Sequence, residues 1–372
     1  MDKNRFLIYS TVFLIMALSN SVIPVLPEIS STGQASHGPS VATLLFSGYF
    51  IGALFTMIPF GLMVDIYENI KLIVLAIAIT FFAGLLLTFT ENIYLLITGR
   101  IMEGIACGAF FPAAYSILSG FQKKNRYIGE FNFLLNAGLA VGVLSSGFLA
   151  KWSIKGAIIL FTIMTALILF IGLPALFTKS KTKKTIPGKT KPASNARIIN
   201  KIFDLKFLRT WVIAFLLFGI TGVMLAFYPE YSKDTLSKPE LGIAIAILYA
   251  SSMATNIIVG RMDLEYKKMV FTGVLLAAFG VIIATKFPFL GFALLGIGSG
   301  TGMIGLPIAV SQMPFDKGLA MGIFTTYTYA GLAFMPIIAG LFVNLGQQAV
   351  FIMSAFFMFM SLFLKDGVKS EE

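Results

Sequence analysis

Long stretches without any charged residue dominate this chain of 372 residues. A membrane-spanning helix needs about 20 mostly apolar residues, because each residue advances about 1.5 Å through a hydrocarbon core of about 30 Å. The stretches of roughly this length or more are 6–27, 29–64, 72–90, 104–122, 131–150, 156–178, 210–229, 241–260, 269–285, 287–315 and 318–364. The sequence therefore predicts a polytopic membrane protein.

Composition agrees with this prediction and excludes other classes of protein. Hydrophobic residues make up 57% of the chain and charged residues 12%, whereas soluble domains average about 45–50% and about 25%. The net charge of +11 does not indicate nucleic-acid binding, because the basic residues are dispersed between the apolar stretches. One Cys and one His, His37, exclude a disulfide framework and a cysteine-rich metal site, and they remove most histidine-based catalysis.

Polar breaks divide the stretches into twelve predicted spans. Gly33–Ser40 precedes the second span, and Asn344–Gln348 separates the last two. The first span is longer than the apolar part of a signal peptide and lacks a following cleavage site, so we expect it to be retained. The predicted spans are 6–27, 41–64, 72–90, 93–118, 129–150, 156–178, 210–229, 241–260, 269–285, 288–312, 318–343 and 349–364.

The positions of Lys and Arg predict the orientation of the chain. With the N-terminus inside, 22 of the 28 basic residues fall in inner segments and 5 in outer loops, and Arg100 is left within a span. Cytoplasmic loops carry an excess of Lys and Arg. We therefore expect a multi-pass protein of the cell membrane with both termini in the cytoplasm.

One long basic segment, 179–209, divides the spans into two sets of six. It carries ten of the 28 basic residues and a single acidic one, Asp204, a composition that cannot form a core. We expect a solvated cytoplasmic linker attracted to anionic lipids, between one bundle over 1–178 and a second over 210–372. A specific regulatory site in this segment is the alternative.

The two sets of spans contain matching sequence at a slowly falling offset. Leu26–Ser30 matches Tyr228–Ser232 at 202, Gly61…Asp65 matches Gly260…Asp263 at 198 or 199, Gly84 matches Gly280 at 196, Gly104 and Gly108 match Gly298 and Gly302 at 194, and Gly138 matches Gly331 at 193. Two parallel six-helix repeats are typical of transporters with a site near the membrane midplane. We therefore predict an all-α membrane protein of twelve transmembrane helices in two six-helix bundles, related by pseudo-two-fold symmetry.

Several of these motifs resemble signatures of the major facilitator superfamily. Gly61 and Asp65 match its pattern after the second span, although Ile66 and Glu68 stand where a basic residue and Gly are usual. Arg100-Ile-Met-Glu-Gly104 matches its fourth-span pattern of Arg followed four residues later by Gly. The resemblance covers all twelve spans and implies the major facilitator fold, most similar to members that export drugs with proton coupling.

A third motif lies in the fifth span. Gly138, Gly142 and Gly147 resemble the glycine signature associated with antiporters in the same superfamily, with Val143 in place of the usual Pro. Small residues on one helix face allow close helix packing. We therefore expect these glycines to have a gating role, plain helix packing, or both.

Arg100 and Glu103 are ionisable residues deep within the predicted fourth span. A spacing of three places them on one helix face, and ionisable groups at this depth usually mark substrate, ion or proton pathways. Glu103 is the acidic residue that we place deepest, so it is the candidate proton carrier, with Arg100 favouring its anion. We expect both to face the central cavity. A structural pair that neutralises itself is the alternative.

Asp65 is predicted to act as a conformational latch. It ends the second span at the cytoplasmic side, where the eleventh span begins near Gly318 with the positive end of its helix dipole. The family resemblance implies that Asp65 joins the two halves in the outward-facing state, and Asp263 is its weaker counterpart in the second repeat. A solvated loop carboxylate is the alternative.

The predicted substrate cavity has polar side-chain tips among aromatic residues. Each such residue is more often a packed residue than a ligand contact, but together they make a plausible lining. The candidates are Asn20, Tyr49, Cys107, Asn132, Asn136, Tyr228, Asn256, Tyr327 and Tyr329.

These features predict a secondary transporter and no enzyme. The spans lack a nucleophile–base set, and the chain lacks the phosphate-binding loop through which ATP would drive it. We predict alternating access with proton-coupled efflux of a small amphipathic or weakly charged molecule; symport uptake or facilitated diffusion of a small metabolite is the alternative. We expect no cofactor, a proton gradient as driving force, the lipid bilayer and a small-molecule substrate as partners, and a monomer.

Overall fold

The computed structural model describes residues 3–31, 39–64, 67–122, 124–177, 207–262, 264–313 and 317–364. Within these ranges the chain is helical and contains no strand. Asp65, Asp263 and nearly all of the predicted linker 179–209 lie outside the described residues. The latch and the linker therefore stay predictions.

Twelve membrane helices account for the predicted spans within the described ranges. Ten are long and apolar enough to cross a membrane, and α6 and α12 are shorter apolar helices in the places of the sixth and twelfth spans. The helices are α1 (Lys3–Ser21), α2 (Pro39–Met63), α3 (Asn69–Phe89), α4 (Ile93–Ser119), α5 (Lys124–Leu149), α6 (Gly156–Gly172), α7 (Leu208–Tyr231), α8 (Lys238–Val259), α9 (Tyr266–Ala284), α10 (Pro288–Ser311), α11 (Lys317–Gly340) and α12 (Gln347–Met360).

The first span is broken, unlike the single helix predicted over 6–27. After α1 the chain forms a 3₁₀ turn over Ile23–Val25 and a short helix over Leu26–Ser31. Pro24 and Pro27 lack the amide hydrogen that a continuous helix needs, so the helix is interrupted there. Such interruptions are tolerated in membranes where neighbouring groups satisfy the freed backbone atoms.

Packing around two glycines supports the internal repeat. A side-chain carbon at Gly138 of α5 would overlap the carbonyl oxygen of Phe13 in α1, and one at Gly331 of α11 would overlap that of Phe215 in α7. Gly138 and Gly331 are related by the predicted offset of 193, and Phe13 and Phe215 by the predicted offset of 202. The packing of α5 on α1 thus recurs as that of α11 on α7.

The predicted match between the fourth and tenth spans is wrong by two residues. Gly104 lies against the backbone of α2, and in the second repeat it is Gly296 that lies against the equivalent helix, α8. Gly298, the predicted counterpart, packs instead on α9 at Ala277. The offset is therefore 192 and not 194. Glycines at alternate positions of α10, from 296 to 302, fit the four-residue spacing in more than one register.

The described contacts between the two halves lie in the middle of the structure and toward one side of it. One side of the molecule is the side at which α1 begins, and we call it the terminal face. We call the opposite side the far face. At the far face a side-chain carbon at Gly147 of α5 would lie 3.1 Å from Gly242 of α8, and one at Gly340 of α11 would lie 3.7 Å from Thr43 of α2. At the terminal face, added carbons at Gly61 and Gly322 would meet no atom within 4 Å. Among the described residues, the cleft between the halves therefore opens toward the terminal face.

Candidate functional site

The crossing of α2 and α4 positions the deep charged residues. Side-chain carbons at Gly52 of α2, or at Gly104 and Gly108 of α4, would overlap atoms of the opposing helix. Glycine at these positions lets the two backbones approach closely. As a result, side chains on this face of α4 lie within hydrogen-bonding distance of the backbone of α2.

Arg100 joins three helices through this crossing. Its Nε donates to the carbonyl oxygen of Leu45 in α2 at 2.9 Å, and its Nη1 donates to that of Ser19 in α1 at 3.1 Å. Nη1 also forms an ion pair with Oε2 of Glu103, one turn along α4. The guanidinium carbon lies 5.4 Å from the centre of the Tyr49 ring, within the range of a cation–π contact. Arg100 thus has partners that do not depend on Glu103.

Glu103 is incompletely paired. Its side chain is 1% exposed, and one carboxylate oxygen, Oε1, is buried without a hydrogen-bond donor among the described residues. A buried, ionised oxygen without a partner is costly, whereas a protonated carboxyl can also donate a hydrogen bond. This oxygen is therefore a chemically reasonable place for a proton.

The charged pair lies inside the N-terminal half and not at the surface of the cleft. Tyr49, 4% exposed, covers the guanidinium, and its ring meets that of Phe50 edge to face at 4.9 Å. Phe50 in turn lies 6.2 Å from the ring of Tyr329 in α11. The expectation that Arg100 and Glu103 face the cleft is not met in this state, because their side chains are 2% and 1% exposed and Tyr49 packs over the guanidinium.

Several predicted cavity residues do meet near the interface of the halves. Cys107 is fully buried, and its thiol contacts the side chains of Tyr49 and Tyr329. Asn20 of α1 donates to the carbonyl oxygen of Leu139 at 3.2 Å and contacts Tyr249 of α8. These contacts place residues from both halves at the closed end of the cleft.

Two asparagines of α5 form a polar strip. Asn132 is exposed and accepts a hydrogen bond from the Tyr115 hydroxyl of α4 at 3.0 Å. Asn136 is half-buried and donates to the carbonyl oxygen of Asn132 at 2.9 Å. This strip offers amide groups without net charge.

The other three predicted cavity residues have different surroundings. Tyr228 is buried in the core of the C-terminal half, where its hydroxyl donates to the carbonyl oxygen of Ala284 at 2.8 Å and its ring meets Phe292 at 4.9 Å. The prediction that Tyr228 lines the cavity is therefore wrong. Tyr327 is half-buried and stacks on Trp211 of α7 at 5.5 Å. Asn256 is half-buried in α8.

Tyr115 and Tyr249 also belong to this region and were not predicted from the sequence. A signal for Tyr115 exists in the sequence: Glu103, Cys107, Phe111 and Tyr115 repeat every four residues along one face of α4. For Tyr249 no comparable local signal exists, because its partner Asn20 is contributed by the other half.

The predicted gating glycines divide into two groups. Gly138 and Gly142 lie against the carbonyl oxygens of Phe13 and Ala17 in α1, within one half, so they have a packing role. Gly147 instead contacts α8 of the other half. Gly61 has open space around it in this state.

Comparison with known proteins agrees with the fold. The Major Facilitator Superfamily model matches residues 8–237 and 210–369. An uncharacterized MFS-type transporter of Methanocaldococcus jannaschii is 26% identical over 89% of both chains. Multidrug resistance protein 2 of Bacillus subtilis is 24% identical over 97% of this chain and 94% of the relative.

A solved structure shows the same architecture. The crystal structure of a mutant form of the nucleoside transporter NupG superposes with a TM-score of 0.79 at 12% identity, over 97% of this chain and 98% of the other. At this identity the likeness concerns the fold alone. Together with the family match, the twelve helices and the motifs around Arg100, it shows that this chain belongs to the Major Facilitator Superfamily of membrane transporters.

Proposed function

We propose that this protein exports a small, amphipathic or weakly charged molecule in exchange for protons, with Glu103 as the proton carrier. The observation that carries this proposal is the buried Oε1 atom of Glu103, which has no donor among the described residues. A carrier has to gain and lose its proton during the cycle. The pairing of one oxygen with Arg100 favours the ionised form of this carboxyl group, and the burial of the other, unpaired oxygen favours the protonated form.

The second repeat supports a functional role for the pair over a structural one. At the register set by Gly104 and Gly296, Arg100 corresponds to Phe292 and Glu103 to Leu295, and both residues are fully buried. The fold thus closes the same helix crossing with apolar side chains. Because replacing a buried ion pair with apolar residues is often neutral or stabilising, stability alone does not account for Arg100 and Glu103.

Arg100 holds α1, α2 and α4 together even when Glu103 changes its charge. Its bonds to Leu45 and Ser19 remain when Glu103 is protonated. Neutralisation then weakens one contact within α4 and leaves α1, α2 and α4 joined. We infer that the change in the charge of Glu103 affects the C-terminal half through Tyr49, which lies between the charged pair and that half.

Support for efflux of a weakly charged compound comes from the polar strip and the relatives. Asn132, Asn136 and Tyr115 present amide and hydroxyl groups, which bind neutral polar groups without requiring a formal charge. The similarity to a multidrug resistance protein and the glycine motif of α5 favour export over import.

A proteoliposome assay tests the proposal. Purified protein is reconstituted with a pH-sensitive dye in the lumen, and a panel of neutral, cationic and anionic amphipathic compounds is added under pH gradients of either polarity. We expect at least one compound to move against its own gradient, in the direction opposite to the protons. Transport that proceeds equally without a pH gradient, or together with protons in one direction, contradicts the proposal.

A further inference from the structure

An ion pair joins the two halves at the far face. Lys238, the first residue of α8, extends to the segment after α1, where its Nζ lies 2.6 Å from Oε1 and 2.8 Å from Oε2 of Glu28. The same Nζ donates to the carbonyl oxygen of Pro24 at 2.8 Å. One ammonium group thus binds three oxygen atoms of the N-terminal half.

The backbone around Lys238 also contacts the N-terminal half. A side-chain carbon at Gly147 of α5 would lie 2.5 Å from the carbonyl oxygen of Lys238 and 3.1 Å from Gly242 one turn later. Glycine at 147 is what allows α8 to approach α5 so closely. The first turn of α8 is therefore held from two sides, by the α1 segment and by α5, and both contacts have to separate before the far face opens.

The corresponding carboxylate of the second repeat forms no contact of this kind among the described residues. Glu230, 202 residues after Glu28 in the matching Pro-Glu motif, pairs with Lys233 at 2.5 Å in the loop after its own helix. Glu230 thus pairs within its own half, whereas Glu28 pairs with a residue of the other half. The contact across the cleft is particular to Glu28.

We propose that Glu28 and Lys238 form a gate that stabilises the state open at the terminal face and breaks whenever the transporter opens toward the far face. The two side chains are 34% and 21% exposed, so the pair is partly shielded from water yet within reach of the medium. Its contribution should be modest and should fall as ionic strength rises. This suits a gate, because a contact that opens in every cycle has to be reversible.

Distance measurements between the halves test the gate. Cys107 is replaced by Ser, and spin labels are placed at Ser153→Cys and Asn344→Cys, exposed positions in far-face loops of the two halves. Pulsed electron–electron double resonance is then recorded for this protein and for Glu28→Gln, Lys238→Met and the double variant. Glu230→Gln is the matched control, since it breaks a Lys–Glu pair of the same face within one half.

We expect Glu28→Gln and Lys238→Met each to raise the ratio of long to short distances by about two- to fivefold. The double variant should show no larger shift than the single ones, because both remove the same contact. Glu230→Gln should leave the distribution unchanged. Unaltered distances in both single variants, additive shifts in the double variant, or an equal shift with Glu230→Gln would overturn the proposal.

Discussion

Glu103 of α4 and Leu295 of α10 occupy equivalent positions in the two repeats. Each directly precedes a glycine, Gly104 or Gly296, that lies against the backbone of the neighbouring helix. One half therefore has an ionisable carboxyl group where the other has an apolar side chain, although the helix crossing is the same. This asymmetry is one reason why we propose that the coupled proton acts in the N-terminal half.

Replacing Arg100 and Glu103 with the apolar residues of the second repeat, Phe and Leu, should show separately what the pair contributes to protein stability and to proton coupling. Glu103→Leu alone leaves the buried Arg100 without its anion and should destabilise the protein by about 3–5 kcal/mol. The double variant Arg100→Phe with Glu103→Leu should recover most of that loss but show no proton-driven transport. Thermal unfolding in detergent and transport in liposomes measure the two effects. A double variant no more stable than the single one would show that the carbonyl contacts of Arg100 are needed for the fold.

The close crossing of α2 and α4 should not tolerate a methyl group. Gly104→Ala places a carbon against the carbonyl oxygen of Tyr49, and such overpacking costs about 1–3 kcal/mol. Gly129→Ala is the matched control, because its added carbon meets no atom within 4 Å, and a helical Ala should stabilise by about 0.5–1 kcal/mol. Melting temperatures of the two variants should shift in opposite directions. A Gly104→Ala variant as stable as the wild type would contradict the described crossing.

How far the sequence predicts this structure depends on the element. The spans and the 193-residue offset of α5 and α11 follow from apolar runs and glycine spacing, which depend on local composition. The register of α10 could not be predicted, since glycines at alternate positions satisfy two alignments equally well. The location of Tyr228 could not be predicted either: a tyrosine in a span suits both a polar cavity and a core where a backbone carbonyl, here that of Ala284, accepts its hydrogen bond.

Substitution of Tyr228 should change protein stability, whereas substitution of Asn132 should change the KM for transported compounds. Tyr228→Phe removes a buried hydrogen bond and should lower stability by about 0.5–1.5 kcal/mol, with no change in the KM for any transported compound. Asn132→Ala removes an exposed cleft amide and should raise that KM by about two- to tenfold while leaving the melting temperature nearly unchanged. Parallel KM and melting measurements distinguish the two roles. If Tyr228→Phe altered the preference for transported compounds, Tyr228 would have to line the substrate cavity.

Glu103 is the residue that we propose to carry the coupled proton. The most direct test compares wild-type and Glu103→Gln protein in liposomes, measuring both substrate accumulation driven by a pH gradient and downhill exchange without one. Gln keeps the shape and one polar contact with Arg100 but cannot ionise. We predict that the variant loses accumulation and retains exchange, whereas Glu130→Gln, which alters an ion pair with Arg126 near the terminal face, retains both. Full accumulation by Glu103→Gln would show that Glu103 is only a structural partner of Arg100.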